Sequence, residues 1–282
     1  MPAPDLPASP ALPASTAQAS WRARPVIVTR PAPDAQRWAE QLCQRGLTAE
    51  ALPLLEIAAA DDLTLARKAW ARLSDYAALM FVSGNAVTYF FAARPANAPP
   101  LPPPLRFMAP GPGTAKVLAA HGVPAAQIDT PAGHASQFDS EALWQVVGAR
   151  PWAGQRVLIV RGQSGTSPDA SAPGRQWLAA QFENAGATVD FVVVYQRRVP
   201  HFSAAQLQRM EGSRHDGSVW LFSSSEALDG LPRWPGGDWS RARAIATHPR
   251  IASAVRAAGW GVVIESRPAL DDIVASIESL HP

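Results

Sequence analysis

The sequence contains two similar halves, and this internal duplication limits the possible folds more than any other feature. Three pairs of segments repeat in the same order, namely residues 26–31 (VIVTRP) with 157–162 (VLIVRG), 78–87 with 218–228, and 106–122 with 243–259. A repeat of well over a hundred residues is too long for a solenoid unit. The duplication therefore predicts two similar lobes, with a cleft between them as the first place to look for a ligand.

Apolar runs alternate with helix-like patterns along the chain, which is typical of an α/β fold with parallel sheets. Strands are predicted at residues 26–29, 78–83, 106–109, 156–160, 188–195, 218–223, 243–247 and 261–266. Helices are predicted at residues 32–45, 63–72, 85–93, 114–121, 140–147, 174–185, 204–209, 250–258 and 270–280. Residues 162–174 are predicted to form a loop, and the apolar segments 52–57 and 191–198 are predicted to cross between the lobes.

Helix ends are marked by residues with suitable backbone or side-chain chemistry. Glycine stands where helix C-caps are expected, at Gly46, Gly122, Gly186 and Gly259. Ser140 is the predicted N-cap of the helix at 140–147, with Asp139 and Glu141 adding negative charge beside the helix start.

Charge and cysteine content narrow the class of protein. The formal net charge is +2 and the arginines are scattered singly, which argues against a nucleic-acid partner. Cys43 is the one cysteine, so no internal disulfide can form, in keeping with a reducing cytoplasm. Its position in a helix pattern predicts a small core residue.

The N-terminal segment is rich in proline, alanine and serine. Residues 1–22 lack the basic start and apolar run of a signal peptide and are predicted to be a disordered tail. No stretch approaches the roughly 20 apolar residues that span a bilayer. We therefore expect a cytoplasmic protein with no membrane partner.

Catalytic signatures are scarce, but polar groups recur where strands turn into helices. The chain has no Ser-His-Asp or GxSxG pattern, no Walker loop and no metal-ligand spacing. The turns instead carry Ser83, Asn85, Thr114, Ser223, Ser224, His248 and Arg250. Helix starts with free N–H groups and hydroxyls bind anions, although ordinary N-capping explains any single position. Their recurrence at four corresponding turns favours a carboxylate-rich ligand.

Four further residues could act at such a site. Arg30 and Arg161 close equivalent strands and could add positive charge, as could Arg175. Tyr195 lies in a predicted crossing segment, where its phenol is either a proton donor facing the cleft or a structural hinge residue.

An ordered set of short motifs resembles the uroporphyrinogen-III synthase family. The motifs are TRP (29–31), FVSGNAV (81–87), GPGTA (111–115), FDSEAL (138–143), VRG (160–162) followed by GR (174–175), VYQR (194–197), FSSSEAL (222–228) and HPRIA (248–252). Each motif alone is weak, but their order and spacing are specific. The resemblance runs from about residue 25 to residue 280.

The resemblance implies a particular architecture. It implies two flavodoxin-like, three-layer α/β lobes with parallel sheets, joined by a two-stranded antiparallel linker. Lobe 1 would be discontinuous, from residues 24–52 and 199–282. Lobe 2 would span residues 58–191, with linkers at 52–58 and 192–198. The sequence halves would then not coincide with the lobes.

The resemblance also implies a reaction. Hydroxymethylbilane, a linear tetrapyrrole octacarboxylate, would lose water and close to uroporphyrinogen III, with ring D inverted through a spiro-pyrrolenine intermediate. This step belongs to haem and sirohaem biosynthesis and needs no metal or organic cofactor. A monomer is expected, with the substrate handed over by hydroxymethylbilane synthase.

The family's functional residues map onto this sequence with departures. Tyr195 matches the tyrosine proposed to protonate the leaving hydroxyl, and Ser83, Thr114 and Ser224 match hydroxyls in the turns. The remaining predicted substrate-binding residues are Arg30, Asn85, Arg161, Gly162, Arg175, Ser223, His248 and Arg250. Arg250 and Ile251 stand where the family has threonines, so we expect His248 or Arg250 to replace them as a carboxylate partner.

Three alternatives remain open on the sequence. The chain could be a two-lobed binding protein without catalysis, a flavodoxin-like nucleotide or flavin enzyme, or a degenerate synthase retained as a scaffold.

Overall fold

The computed structural model describes residues 24–132, 139–164, 173–232 and 238–280, with the side chains of 173–175 not described. The chain divides into two compact units, Met1–Glu56 with Val199–Pro282, and Ile57–Arg198. The predicted tail at 1–22 lies outside the described residues. None of the helices in the described part is long and apolar enough to cross a membrane.

Strands and helices alternate along most of the chain. The strands are β1 (Val26–Val28), β2 (Ala49–Ala51), β3 (Glu56–Ala59), β4 (Ala78–Phe81), β5 (Arg106–Met108), β6 (Ile128–Asp129), β7 (Arg156–Ser164), β8 (Thr188–Arg198), β9 (Val219–Phe222), β10 (Arg243–Ala246) and β11 (Val262–Glu265). The helices are α1 (Asp34–Gln44), α2 (Thr64–Ala71), α3 (Gly84–Ala92), α4 (Pro112–Ala120), α5 (Ser140–Val147), α6 (Pro173–Asn184), α7 (Ala204–Gly212), α8 (Pro249–Ala257) and α9 (Leu270–Ser279). Short 3₁₀ helices lie at Leu73–Asp75, Ala125–Gln127 and Ser225–Gly230.

The discontinuous unit contains a five-stranded parallel sheet. Its strand order is β11-β10-β9-β1-β2, and all four neighbouring pairs are parallel. Strand β1 lies between β2 and β9, so that Val26 is in register with both Ala49 and Val219. This order is that of a doubly wound, flavodoxin-like sheet.

The continuous unit contains a six-stranded sheet in the order β3-β8-β7-β4-β5-β6. The four pairs from β8 to β6 are parallel. Apart from the edge strand β3, the order β8-β7-β4-β5-β6 repeats β2-β1-β9-β10-β11 of the other sheet. The repeated segments of the sequence therefore occupy equivalent strands, and each sequence half supplies its first strand pair to one unit and its later strands to the other.

Both sheets are buried on two faces, as parallel sheets require. In β4, Leu79 and Phe81 pack into one apolar cluster with Trp70 and Phe90, while Met80 packs into the cluster on the opposite face. The discontinuous unit is built in the same way. Trp220 and Phe222 of β9 face one cluster, and Val219 and Leu221 face the other. These period-2 patterns produce a three-layer α/β arrangement in each unit.

The positions of most predicted elements are confirmed, with small differences at their ends. All four predicted cap glycines have positive φ angles, which glycine adopts without strain. The predicted N-cap Ser140 is wrong by one residue, because the Asp139 carboxylate accepts the hydrogen bond from the Ala142 N–H and Ser140 is the first helical residue. Cys43, predicted to be in the core, is exposed on α1.

The predicted crossing segments are partly strands. Residues 52–57 extend into β3, and residues 191–198 are the second half of β8, an adjacent strand in the same sheet. Strand β7 continues to Ser164, so the first residues of the predicted loop at 162–174 are strand. Residues 165–172 of that loop lie outside the described part.

Candidate functional site

Tyr195 is turned toward helix α3 by a β-bulge. Strands β7 and β8 pair with Arg161 opposite Val193 and Gly162 opposite Tyr195, which makes Val194 the extra residue. Consecutive residues of a regular strand face opposite sides, yet Val194 and Tyr195 pack into the same apolar cluster. The bulge thus re-aims the tyrosine, as bulges near functional sites often do. Tyr195 is 1% exposed.

Gly162 makes room for the Tyr195 ring. A Cβ atom on Gly162 would lie 2.3 Å from the Tyr195 Cζ and 2.4 Å from its Cε2, which no real structure tolerates. The Tyr89 ring stacks on Tyr195 with 6.0 Å between centroids, and the Tyr89 hydroxyl donates to the Ile57 carbonyl at 2.8 Å. The sequence marked Gly162 as substrate-binding, and the structure places it against the Tyr195 ring, with Tyr89 stacked on the same ring.

Ser83 joins the Tyr195 phenol to the start of α3. Ser83 has extended backbone and is the N-cap of α3, where its Oγ accepts the Ala86 N–H at 3.2 Å. The same Oγ lies 3.2 Å from the Tyr195 hydroxyl oxygen. Ser83 is partly exposed, unlike Tyr195. Asn85 is exposed in the first turn of the same helix.

Thr114 occupies the first turn of α4, the next helix along the sheet. Gly111 is the N-cap, and Pro112 is the first helical residue, a position that needs no N–H donor. Thr114 is 8% exposed, and its hydroxyl makes no hydrogen bond with the described residues. The turn therefore offers a hydroxyl next to a helix N-terminus without a side-chain cap.

Arg30 is a partly buried cation in the discontinuous unit. It follows β1, and its guanidinium lies 4.4 Å from the centroid of the Trp38 ring. Its Nε is buried without a hydrogen-bond partner, and Arg30 forms no ion pair within the described chain. Burial lowers the pKa of Arg30, against the opposing charge of Asp34. A planar guanidinium held in this way is suited to bind a carboxylate.

The two serines that follow β9 differ in their hydrogen bonds. Ser224 is the N-cap of the 3₁₀ helix at Ser225–Gly230, where its Oγ accepts the Glu226 N–H at 3.2 Å. Ser223 is half-buried, and its hydroxyl has no partner among the described residues. Of these two serines, Ser223 therefore has its full hydrogen-bonding capacity available.

His248 has a role that the sequence did not indicate. It is the N-cap of α8, and its Nδ1 accepts the Arg250 N–H at 3.1 Å. The neighbouring Pro249 has no N–H and the Ile251 N–H donates to the His248 carbonyl, so the first turn of α8 offers few free backbone donors. Ile251 is buried in the apolar core, and the exposed Arg250 guanidinium is the charged group of this turn that can bind an anion.

Two further arginines, Arg161 and Arg175, were predicted as site residues. The Arg161 guanidinium lies 5.5 Å from the centroid of the Phe191 ring. The side chain of Arg175 lies outside the described residues. Among the described His, Cys, Asp and Glu residues, no cluster has the geometry to hold a metal ion.

The structure brings together Ser83, Gly162 and Tyr195 of the predicted site and adds Tyr89. In the other unit, Trp38 is the addition, because it supports Arg30. One signal could have revealed the first of these contacts: Gly162 interrupts an otherwise strand-like sequence, which indicates a bulge or a close approach. The Trp38 contact follows from its place one helical turn into α1, which no motif marks.

Comparison with known proteins gives a consistent result. The family model HEM4, uroporphyrinogen-III synthase HemD, matches residues 36–275. The chain is 29% identical over 240 residues to a uroporphyrinogen-III synthase of Salmonella typhimurium, covering 83% of this chain and 92% of the relative. It is 27% identical over 240 residues, with the same coverage, to the Escherichia coli protein of that name.

Solved structures share the fold at low sequence identity. The uroporphyrinogen-III synthetase of Helicobacter pylori is 16% identical, with a TM-score of 0.54 over 91% of this chain and 99% of that one. A mutant uroporphyrinogen III synthase of Thermus thermophilus is 14% identical, with a TM-score of 0.52 over 91% and 98% of the two chains. At these identities the similarity establishes the fold alone.

Proposed function

Since the chain belongs to the uroporphyrinogen-III synthase family, we propose that it converts hydroxymethylbilane to uroporphyrinogen III. The linear tetrapyrrole loses water at its hydroxymethyl end and closes with ring D inverted, through a spiro-pyrrolenine. The open substrate also closes without help to the uninverted isomer. The enzyme must therefore control which carbon attacks, and this is chiefly a task of positioning.

Weak polar contacts suit the binding of an octacarboxylate. We propose that Arg30, Arg250, Ser223, Thr114 and the first turns of their helices bind carboxylates of the substrate. Arg30 supports this assignment best, because burial of a guanidinium without a carboxylate partner has a cost that a bound anion would offset. The proposal gives Arg161, Arg175, Asn85, Ser224 and His248 supporting contacts of the same kind.

Tyr195 is the proposed proton donor to the leaving hydroxyl. Water leaves a hydroxymethyl group more readily when an acid protonates its oxygen. The observation that supports this role is the hydrogen bond between the Tyr195 and Ser83 hydroxyls at the start of α3. A neutral phenol also tolerates burial better than an ionised carboxylate would.

We also propose where the protein acts and which enzyme supplies its substrate. The protein would act as a monomer in the cytoplasm and receive hydroxymethylbilane from hydroxymethylbilane synthase. It would need no metal or organic cofactor, because protonation, departure of water and ring closure require only proton transfer and positioning.

Tyr195→Phe tests the catalytic assignment. The substitution removes the hydroxyl and keeps the ring, so we expect kcat for uroporphyrinogen III formation to fall roughly 100-fold, the lower end of what general acid–base catalysis contributes, with little change in KM. Tyr76→Phe is the matched control, since Tyr76 packs beside Arg156 in the same unit and should retain wild-type kinetics. A wild-type kcat for Tyr195→Phe would remove Tyr195 from the role.

A further inference from the structure

Tyr195 and Ser83 differ in exposure in a way that matters for proton transfer. The Tyr195 side chain is 1% exposed, enclosed by Gly162 below its ring and by the stacked Tyr89 ring. Its hydroxyl lies 3.2 Å from Ser83 Oγ, and Ser83 is partly exposed. The Ser83 hydroxyl is therefore placed between the buried Tyr195 phenol and the exterior of this unit, within hydrogen-bond distance of the phenol.

The hydrogen-bonding capacity of Ser83 fits a relay. A serine hydroxyl has two lone pairs and one hydrogen. The Ala86 N–H occupies one lone pair, and the Tyr195 O–H can occupy the other. The hydrogen of the Ser83 hydroxyl is then available for donation to a third group.

From this geometry we propose that Ser83 is a catalytic residue that relays the Tyr195 proton to the leaving hydroxyl. The inference rests on the proposed function and on the acid role of Tyr195. Ser83 gives its own hydrogen to the oxygen of the substrate hydroxymethyl group and takes the phenol hydrogen of Tyr195. The carbon–oxygen bond breaks with its electron pair on oxygen, and water leaves. The phenolate on Tyr195 recovers a proton through Ser83 when the closing pyrrole releases one.

The N-cap role of Ser83 can be separated from the relay by choice of variant. Ser83→Ala removes the hydroxyl and the cap, whereas Ser83→Asn keeps a good N-cap but has no hydroxyl to pass a proton. Ser83→Thr keeps both the cap and the hydroxyl. Ser203→Ala is the matched control for loss of a serine cap, because Ser203 caps α7 in a capping box outside the proposed site.

The test measures kcat and KM with hydroxymethylbilane for these variants. We expect Ser83→Ala and Ser83→Asn to lower kcat roughly 10- to 100-fold, as loss of proton transfer does, with KM changed less than about twofold. Ser83→Thr should restore most of kcat, and Ser203→Ala should leave it unchanged. The double variant S83A/Y195F should be no slower than Tyr195→Phe alone, because a relay acts as one unit with its donor.

Three results would overturn the relay. These are an unchanged kcat in Ser83→Asn, a rise in KM alone, and multiplication of the two single losses in S83A/Y195F. If Tyr195→Phe is slow and any of these three results is found, Tyr195 keeps its role as the acid and only the relay through Ser83 is refuted. A wild-type kcat for Tyr195→Phe would instead refute the proposed acid, and absence of uroporphyrinogen III from the wild-type reaction would refute the proposed function.

Discussion

At the scale of single residues, two side-chain environments determine the proposed chemistry. The Tyr195 ring packs against Gly162 of β7, where any side chain would clash with it. The Arg30 guanidinium, which has no ion pair in the described chain, packs on the Trp38 ring. The sequence predicted Arg30, Ser83 and Tyr195 as candidate site residues from their positions, and the family resemblance added Gly162. It did not predict their contacts. Gly162 within a strand-like sequence is the one local signal for the bulge beside Tyr195, and no motif marks the helix position that places Trp38 beside Arg30.

Replacement of Gly162 by alanine should displace the Tyr195 ring. We expect Gly162→Ala to lower the free energy of unfolding by about 1–3 kcal/mol through overpacking, and to lower kcat toward the value of Tyr195→Phe. In a Tyr195→Ala background the same substitution should cost little stability, since the clashing ring is gone. Chemical denaturation and steady-state kinetics measure both effects.

Gly212→Ala provides the control, since a Cβ at Gly212 would have no heavy atom within 4 Å. Equal stability losses for Gly162→Ala in the wild-type and Tyr195→Ala backgrounds would show that the ring does not depend on Gly162.

Loss of the Arg30 charge should weaken substrate binding. We expect Arg30→Gln to raise KM roughly tenfold with little change in kcat, because a charge-assisted hydrogen bond to a carboxylate contributes about 1.5–3 kcal/mol at most. Burial lowers the pKa of Arg30, so desolvation of its charge acts against the folded state, whereas its contact with Trp38 acts in favour of it. We therefore expect the free energy of unfolding to change by less than about 1 kcal/mol. Arg37→Gln is the control, since Arg37 is exposed and paired with Asp34; an unchanged KM in Arg30→Gln would contradict the role.

At the scale of elements, the sequence identified long and strongly patterned segments better than short ones. It missed β2 (AEA) and β6 (ID), because two or three residues show no period-2 pattern. Besides its backbone pairing with β5, strand β6 is fixed by a side-chain cluster, since Asp129 is 5% exposed and pairs with both Arg106 and Arg150. That cluster joins residues distant in sequence, so no local propensity predicts it.

The Asp129 cluster should make stability depend on pH. Burial acts to raise the pKa of Asp129, but hydrogen bonds from Arg150 and Arg106 outweigh it and lower the pKa below its usual value. A lowered folded-state pKa stabilises the protein above the unfolded value of about 3.9, and this contribution is lost as the pH falls through the folded-state pKa.

Asp129→Asn removes the carboxylate that Arg106 and Arg150 share as their ion-pair partner. We expect the free energy of unfolding at pH 7 to fall by about 2–3 kcal/mol, with the difference from wild type shrinking below about pH 4. Asp75→Asn, in an exposed pair with Arg72, should change stability by less than about 1 kcal/mol. Urea unfolding at several pH values measures this. A difference that does not vary with pH would contradict the account.

At the scale of the whole molecule, the duplication in the sequence corresponds to an exchange of strands. Strands β1 and β2 complete the sheet of β9, β10 and β11, whereas β7 and β8 complete the sheet of β4, β5 and β6. Sequence similarity predicts which strands are equivalent. It does not predict which sheet each strand joins, because either assignment satisfies the same local patterns; that expectation came from the family resemblance.

The exchange makes only one unit continuous in the chain. Residues 57–198 contain a sheet with apolar clusters on both faces, so we expect this fragment to fold alone and to melt cooperatively by circular dichroism. Residues 24–56 contain a single helix and two short strands, β1 and β2, too little to fold alone, and serve as the control. A fragment 57–198 without a cooperative transition would contradict the division into units.

The central claim is that the chain directs hydroxymethylbilane to the inverted isomer. The most direct measurement is the ratio of uroporphyrinogen III to uroporphyrinogen I after the full-length protein is incubated with hydroxymethylbilane, beside a protein-free reaction. The account predicts that isomer III predominates with the protein and isomer I without it. Isomer I as the main product in both reactions would contradict the account.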